Sequence, residues 1–389
     1  MADSKYAWTI NEWHDWPPPG HPKTPISPSM YENICQCRLK VNFQCSPSEL
    51  YPRRVMPSAR IGTAFHQTLE QLSCLRHDNS YLDLRAFCQG SIALFRQRLL
   101  EQRKASDNEP REHLLKWPDN RLSLVEEAIV VLARRIWLDV ENHIHPKSRS
   151  QDCAKVLIEY RLESGDGLLA GIIDRVEFKD RCQIFDYKTS LAKDVKRHAQ
   201  QIKLYASLWF DRHGIWPDNG LIIYVLLRQE VPIPIDSEEC SELARRVREE
   251  ARAIMRQPQN PEHLANPGPE CRYCEFRPWC RPFWNNQSEP IDDYMFIKRG
   301  QAGFEAIIKQ FRATIDVTLV ELETCGRTIE LRFPKNQFPH LEGIRAGDRL
   351  RVLDTHLVGV VGRPTADITE RTEIYKIQSN KMGDQSKRS

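Results

Sequence analysis

The chain has 389 residues, enough for about two to three domains. Its 56 Lys plus Arg against 53 Asp plus Glu leave a formal net charge of +3, which excludes a whole-molecule basic field as the basis of binding to nucleic acid or to a membrane surface. With no signal-like N-terminal segment and no run of roughly 18 apolar residues, the expectation is a cytoplasmic protein with no membrane partner, whose 12 cysteines are metal ligands or buried thiols rather than a disulfide framework.

Residues 1–24 are rich in Trp and Pro and read as an irregular arm that packs through Trp8, Trp13 and Trp16. A helix follows from Ser27 to Val41, capped by Ser27 or Ser29, with Met30, Ile34 and Cys37 on one face. The next helix opens near Gly62 in RIGTAFHQTLEQL, with His66 one turn inside it. Two amphipathic helices, about 84–103 and 122–141, make a helical insertion spanning about 84–145. At 154 the hydrophobic period changes, and AKVLIEYRLE, LLAGIIDRVEF and CQIFDYKTS read as three strands joined by ESGDG and KDR turns. A helix at about 192–210, a buried strand at 220–227 and a helix at 237–257 complete an α/β core over 25–284. Residues 285–300 read as a linker and 380–389 as a disordered tail. Between them, 301–379 is expected to form a small β-barrel of the oligonucleotide-binding (OB) type, with generic antiparallel β as the alternative.

The chemistry concentrates in two places. Asp174 falls at the end of the second predicted strand, and Asp186 and Lys188 lie two apart on the third, so they share a face while Phe185 and Tyr187 take the other. Paired carboxylates suit Mg²⁺ or Mn²⁺, and an adjacent ammonium suits a water that loses a proton or a phosphate oxygen that gains charge. For an isolated Asp-x-Lys, the ordinary reading is a solvated salt bridge. In CRYCEFRPWC, the spacing Cys-x2-Cys-x5-Cys brings Cys271, Cys274 and Cys280 together without a fourth thiol; four thiolates suit zinc or an iron–sulfur cluster. Arg245, Arg248, Arg252 and Arg256 line one side of the 237–257 helix and read either as a phosphate track or as a face salt-bridged to Glu249 and Glu250.

GTAFH, GIIDRVE, FDYKTS and QIKLY follow one another in the order and approximate spacing of the RecB-type branch of the PD-(D/E)XK nucleases. The chain resembles the members of that branch that carry an iron–sulfur cluster, AddB nuclease domains and CRISPR-associated adaptation nucleases among them. The resemblance implies a restriction-endonuclease-like core with a helical insertion. It implies Asp174 and Asp186 as metal-binding carboxylates, His66 as a further metal ligand, and Lys188 as the group that positions or activates the attacking water. Gln201 and Tyr205, four apart on a helix, match the family's motif beside the active site. Glu159 takes the place of the acidic residue on the preceding strand, with Glu163 as its competitor. A [4Fe-4S] cluster is implied on Cys271, Cys274, Cys280 and an upstream cysteine, Cys37, with Cys35 as the alternative; the family has Pro after that ligand, where this chain has Arg38.

The implied activity is that of a Mg²⁺- or Mn²⁺-dependent deoxyribonuclease on single-stranded DNA or DNA ends, exonuclease rather than endonuclease. Repair, CRISPR adaptation and defence are the implied settings, with a helicase or other repair and defence proteins as partners. The alternative, of a different class, is a non-catalytic nucleic-acid-binding or assembly subunit. In the C-terminal region, Phe333, Phe338 and Tyr375 are candidates to stack bases.

Overall fold

The computed structural model describes residues 8–11, 16–75, 83–112, 114–144, 155–178, 181–190, 193–256, 260–285, 302–324, 326–358 and 364–378. Trp13, the linker beyond Asn285 and the 380–389 tail lie outside the described residues.

The arm expected to be irregular contains a strand, β1 (Thr9–Asn11), that pairs in parallel with the C-terminal strand at 376–378. Trp8 beside it stacks on His340 with ring centroids 4.5 Å apart, and Trp16 tilts against Phe43. The single helix expected over 27–41 is two: α1 (Pro28–Gln36), whose N-cap Ser27 accepts the Met30 N–H, and α2 (Arg38–Cys45). Cys37 between them is extended, at φ −165° and ψ 110°. No Gly or Pro marks this break. The chain turns there because Leu39 and Phe43 are buried in an aromatic cluster with Tyr51, Phe276 and Trp279.

Three helices follow: α3 (Pro57–Leu75), α4 (Leu84–Asp107) and α5 (Leu122–Ile144). The first opens at Pro57, where a missing N–H is tolerated, rather than near Gly62. The helical layer therefore starts well before the expected insertion boundary at 84. It packs on one face of a five-stranded sheet through Phe65, Leu69, Phe95, Ile129, Phe185 and Tyr187.

That sheet has the order β2-β3-β4-β5-β6. Strands β2 (Lys155–Glu163), β3 (Ala170–Phe178) and β4 (Cys182–Lys188) form an antiparallel meander. Helix α6 (Val195–His213) crosses over to β5 (Asn219–Tyr224), which runs parallel to β4. The 220–227 strand thus stops at Tyr224, and a turn returns the chain as an edge strand that the sequence reading missed, β6 (Gln229–Pro234). Helix α7 (Ser237–Arg256) packs on α6, and the second core, with Ile173, Ile184, Ile202, Trp209, Ile222 and Val247, lies between these helices and the sheet. Two short helices, α8 (Pro261–Leu264) and α9 (Arg281–Asn285), flank the cysteine segment.

The C-terminal strands are β7 (Ala302–Ala313), β8 (Val317–Thr324), β9 (Arg327–Pro334), β10 (Arg349–Val358), β11 (Thr365–Asp367) and β12 (Glu373–Gln378). β7, β8 and β9 form a meander, β9 pairs in parallel with β11, and β10 returns to β7, so β7-β8-β9-β11-β10 close into a barrel. β12 continues the line of β11 along β10, and β1 lies outside it. Strict alternation along β8 sends every second side chain inward. Phe333 and Phe338 belong to the barrel core, and Tyr375 is buried under Trp8 and Trp279, so none of the three is exposed for base stacking.

The barrel rests on residues 274–280. Arg277 makes paired hydrogen bonds to Asp354 (3.1 and 2.7 Å), and Arg111 does so to Glu373 (2.7 and 3.1 Å) while also donating to the Glu275 carbonyl. Arg54 lies 3.4 Å from Glu373, and Arg351 donates to the Pro278 carbonyl. These charges are buried, so each depends on its partner.

Candidate functional site

Asp174 lies in the middle of β3, not at its end. Opposite it in the β2–β3 register is Glu159, whose φ of 49° puts a non-glycine residue in the left-handed region. Leu157 and Tyr160 both pack into the α6-side core, as do Ile173 and Val176 across from them, so the in-out alternation slips by one residue on each strand at this point. The slip turns Glu159 and Asp174 toward His66 on α3. His66 Nδ1 is 3.0 Å from Glu159 Oε1 and 3.6 Å from Asp174 Oδ1, and one ligand atom from each of the three lies within 4.8 Å of the others. Such local strain, of order 1–3 kcal/mol, is typical of functional sites. Glu163, the competitor for the Glu159 position, is exposed at the end of β2.

Asp186 and Lys188 lie beside this triad on β4. The β3–β4 ladder ends at Arg175 and Phe185, and beyond it Asp174 Oδ2 accepts the Tyr187 N–H at 2.6 Å. Lys188 Nζ is 2.7 Å from Asp186 Oδ2 and donates to Gln201 Oε1 at 2.8 Å; Gln201 Nε2 in turn donates to Tyr205 Oη at 2.7 Å. The backbone leaves room for this chain only because residue 171 is glycine: a Cβ there would stand 2.7 Å from the Tyr205 ring.

The electrostatics follow from burying three carboxylates beside two cations. Burial opposes protonation of His66, but Asp174 and Glu159 outweigh it and raise its pKa to about 9. Burial pushes Asp186 up to about 7, against the pull of Lys188, and it also raises Asp174. A divalent cation would relieve this repulsion and exchange with the proton on His66. Carboxylate oxygens and one imidazole suit Mg²⁺ or Mn²⁺, so the residues present fit such an ion, which His66, Glu159 and Asp174 could hold with one ligand atom each.

The four cysteines of the other constellation line one cavity of about 460 Å³, together with Lys40, Arg277 and Phe283. Cys37 enters it from the break between α1 and α2, Cys271 and Cys274 from the turn at 269–274, and Cys280 from the start of α9. The Gly268 N–H donates to Cys271 Sγ at 3.4 Å, and backbone N–H groups of Phe276 and Phe283 meet Cys274 and Cys280. Burial raises the Cys274 thiol to about 11 and also raises Cys280. Cys35 is exposed and bonds Tyr31, away from the cavity.

The arginine stripe of α7 is largely engaged within the protein. Arg245 pairs with Glu242 and Glu249, Arg248 with Asp166 and Asp211, and Arg252 with Asp166; Arg256 is exposed in the last turn. Sequence reasoning missed the Tyr187 N–H, a backbone group no motif reports. It also missed His198, whose Nδ1 lies 2.9 Å from Tyr224 Oη; its place three residues before Gln201 on the same helix was the available signal.

The family model of the PD-(D/E)XK nuclease superfamily matches residues 25–281. No curated protein matches the chain. Among solved structures, the replication factor A related protein from Methanobacterium thermoautotrophicum is similar at 16% identity, over 23% of this chain and 91% of its own, with a TM-score of 0.19. A murine DNA binding protein bound with double-stranded DNA is similar at 10% identity, over 59% of this chain and 100% of its own, with a TM-score of 0.21. Likenesses this distant carry no argument about function.

Proposed function

Because the chain belongs to the PD-(D/E)XK nuclease superfamily, we propose that it hydrolyses phosphodiester bonds of DNA with Mg²⁺ or Mn²⁺, on single strands or ends. The observation that carries this reading is the convergence of His66, Glu159 and Asp174 within 4.8 Å, next to the chain Asp186–Lys188–Gln201–Tyr205. A bound divalent ion supplies Lewis acidity to the phosphate and lowers the pKa of water. The protein's own groups do the rest. Asp174, Glu159 and His66 would hold the ion, and Tyr187 N–H holds Asp174 in its rotamer. Lys188 directs an N–H at the attacking water or the phosphate oxygen that gains charge as the P–O bond breaks. Tyr205 and Gln201 hold that ammonium in line.

Two further readings belong to this proposal. The four thiols are read as ligands of a [4Fe-4S] cluster, supported by their lining one cavity and by N–H groups aimed at three sulfurs. The barrel is read as OB-like, supported by its strand order and by the parallel β9–β11 pair, and as a platform for the single strand.

The test is cleavage of labelled single-stranded DNA with Mn²⁺ by wild type and Lys188→Ala; equal activity in the two sinks the catalytic assignment. A colourless, stoichiometrically zinc-loaded protein purified without oxygen would sink the iron–sulfur reading.

A further inference from the structure

The family motif accounts for Gln201 and Tyr205, but the same face of α6 carries a third polar residue one turn earlier. His198, Gln201 and Tyr205 stand at i, i+3 and i+7 and form one stripe over the ends of β4 and β5. Lys188 on β4 is in register with Tyr224 on β5, a parallel pair whose side chains point the same way. Tyr224 is fully buried, and its hydroxyl is 2.9 Å from His198 Nδ1. His198 therefore stands over the strand neighbour of Lys188, on the β5 side of that lysine and near enough to feel its charge.

A lysine needs such a wall. Its four-carbon stem carries about 2 kcal/mol of rotamer entropy, and a point-charge ammonium takes its bonds from any direction. Lys188 donates one N–H to Gln201 and lies 2.7 Å from Asp186 Oδ2 as an ion pair, which leaves N–H donors for the water or the phosphate. We propose that His198, locked onto Tyr224, is a positioning residue for the reaction: it confines the Lys188 ammonium to its ion pair with Asp186 and its bond to Gln201 and so aims a free N–H at the substrate. Burial, with the charges of Lys188 and Arg197, lowers the His198 pKa to about 4 against the pull of Asp194. The ring is neutral at physiological pH and sits beside the ammonium without repelling it. Lys193, whose Nζ is 5.9 Å from the Tyr224 ring centroid, is held by its bond to Gln229.

This inference rests on the reading of Lys188 as a group that acts in phosphodiester hydrolysis, and the experiment separates the two. Wild type, His198→Ala, His198→Asn, Tyr224→Phe, Lys188→Ala and the His198→Ala/Lys188→Ala double variant are compared on labelled single-stranded DNA with Mn²⁺. In parallel, the reductive methylation rate of Lys188 in the metal-free protein is read by peptide mass spectrometry. His198→Ala is expected to lower kcat by roughly 10- to 100-fold with KM and the Mn²⁺ half-activation point little changed, the pattern of an interaction realised in the transition state. His198→Asn, which can still reach the Tyr224 hydroxyl, restores much of the loss. In the Lys188→Ala background, the His198 change has no further effect, because the two act as one unit. Methylation of Lys188 speeds up several-fold in His198→Ala and Tyr224→Phe as the ammonium is released. Unchanged kcat and methylation rate in His198→Ala overturn the inference, as does an equal further loss in the Lys188→Ala background. If wild type itself cleaves no DNA, the nuclease reading fails and the methylation rates alone decide the role of His198.

Discussion

Metal binding at the acidic triad must displace a proton, and the structure fixes how strongly that proton competes. His66 is raised to about 9 by Asp174 and Glu159, so at pH 7 it is held protonated some two pH units below its midpoint. At 1.36 kcal/mol per unit, freeing the imidazole costs about 2.7 kcal/mol, or roughly a hundred-fold in apparent affinity. The sign is definite: apparent Mn²⁺ affinity rises about ten-fold per unit between pH 7 and the His66 midpoint and is flat above it. Asp186, raised to about 7, adds a second released proton as the pH falls below that value. The measurement is titration calorimetry of Mn²⁺ at several pH values, in buffers of differing ionisation enthalpy, which counts the protons released. His66→Gln offers a neutral ligand with no proton to lose, and it should remove the slope between pH 7 and 9. Wild-type affinity that does not vary between pH 7 and 9, with no proton released, would refute the reasoning.

Two other outcomes follow from buried charge and from the thiol cavity. Glu373→Gln removes the counter-charge of Arg111 and Arg54 and should destabilise the barrel by about 3–5 kcal/mol, read by scanning calorimetry. Burial opposes ionisation of Glu373, yet Arg111 and Arg54 lower its pKa below the ordinary 4.5. Its stabilisation is therefore complete above that value and is lost as the pH falls through the folded midpoint, so the acid melting of the barrel should flatten in the Gln variant. Cys37→Ser should abolish most of the iron content and visible absorbance of anaerobically purified protein, while Cys35→Ser, on the exposed Tyr31 side, should leave both intact; equal loss in the two variants would count against Cys37 as the cavity's upstream ligand.

The parts legible in the sequence were those with local periodicity. Alternation in CQIFDYK put Asp186 and Lys188 on one face, and helical spacing put Gln201 beside Tyr205. The slip at Glu159 was not legible, since a left-handed glutamate is imposed by its partner strand and leaves no mark in the sequence. β6 was hidden by Pro232 and Pro234, which argue against a central strand but are tolerated on an edge. The break at Cys37 has no local breaker either; burial of Leu39 and Phe43 against residues more than two hundred positions away makes it. For the same reason the fourth thiol of the cavity, Cys37, was legible only through resemblance, while the spacing of Cys271, Cys274 and Cys280 was legible by itself. The helical stripe of arginines suggested a phosphate track, but periodicity cannot report that Asp166 and Asp211 come from other elements to neutralise it.

The strand at Thr9–Asn11 has a consequence for how the molecule is made. Its partner, β12, lies more than 360 residues further along the chain, so the strand that covers the edge of β12 is synthesised long before the strand it pairs with. The nuclease core and the barrel can each fold earlier from contacts that are closer in sequence, and docking of β1 on β12 becomes the late, high-contact-order event. Until β1 docks, β12 presents an unpaired edge, the kind of template on which chains aggregate.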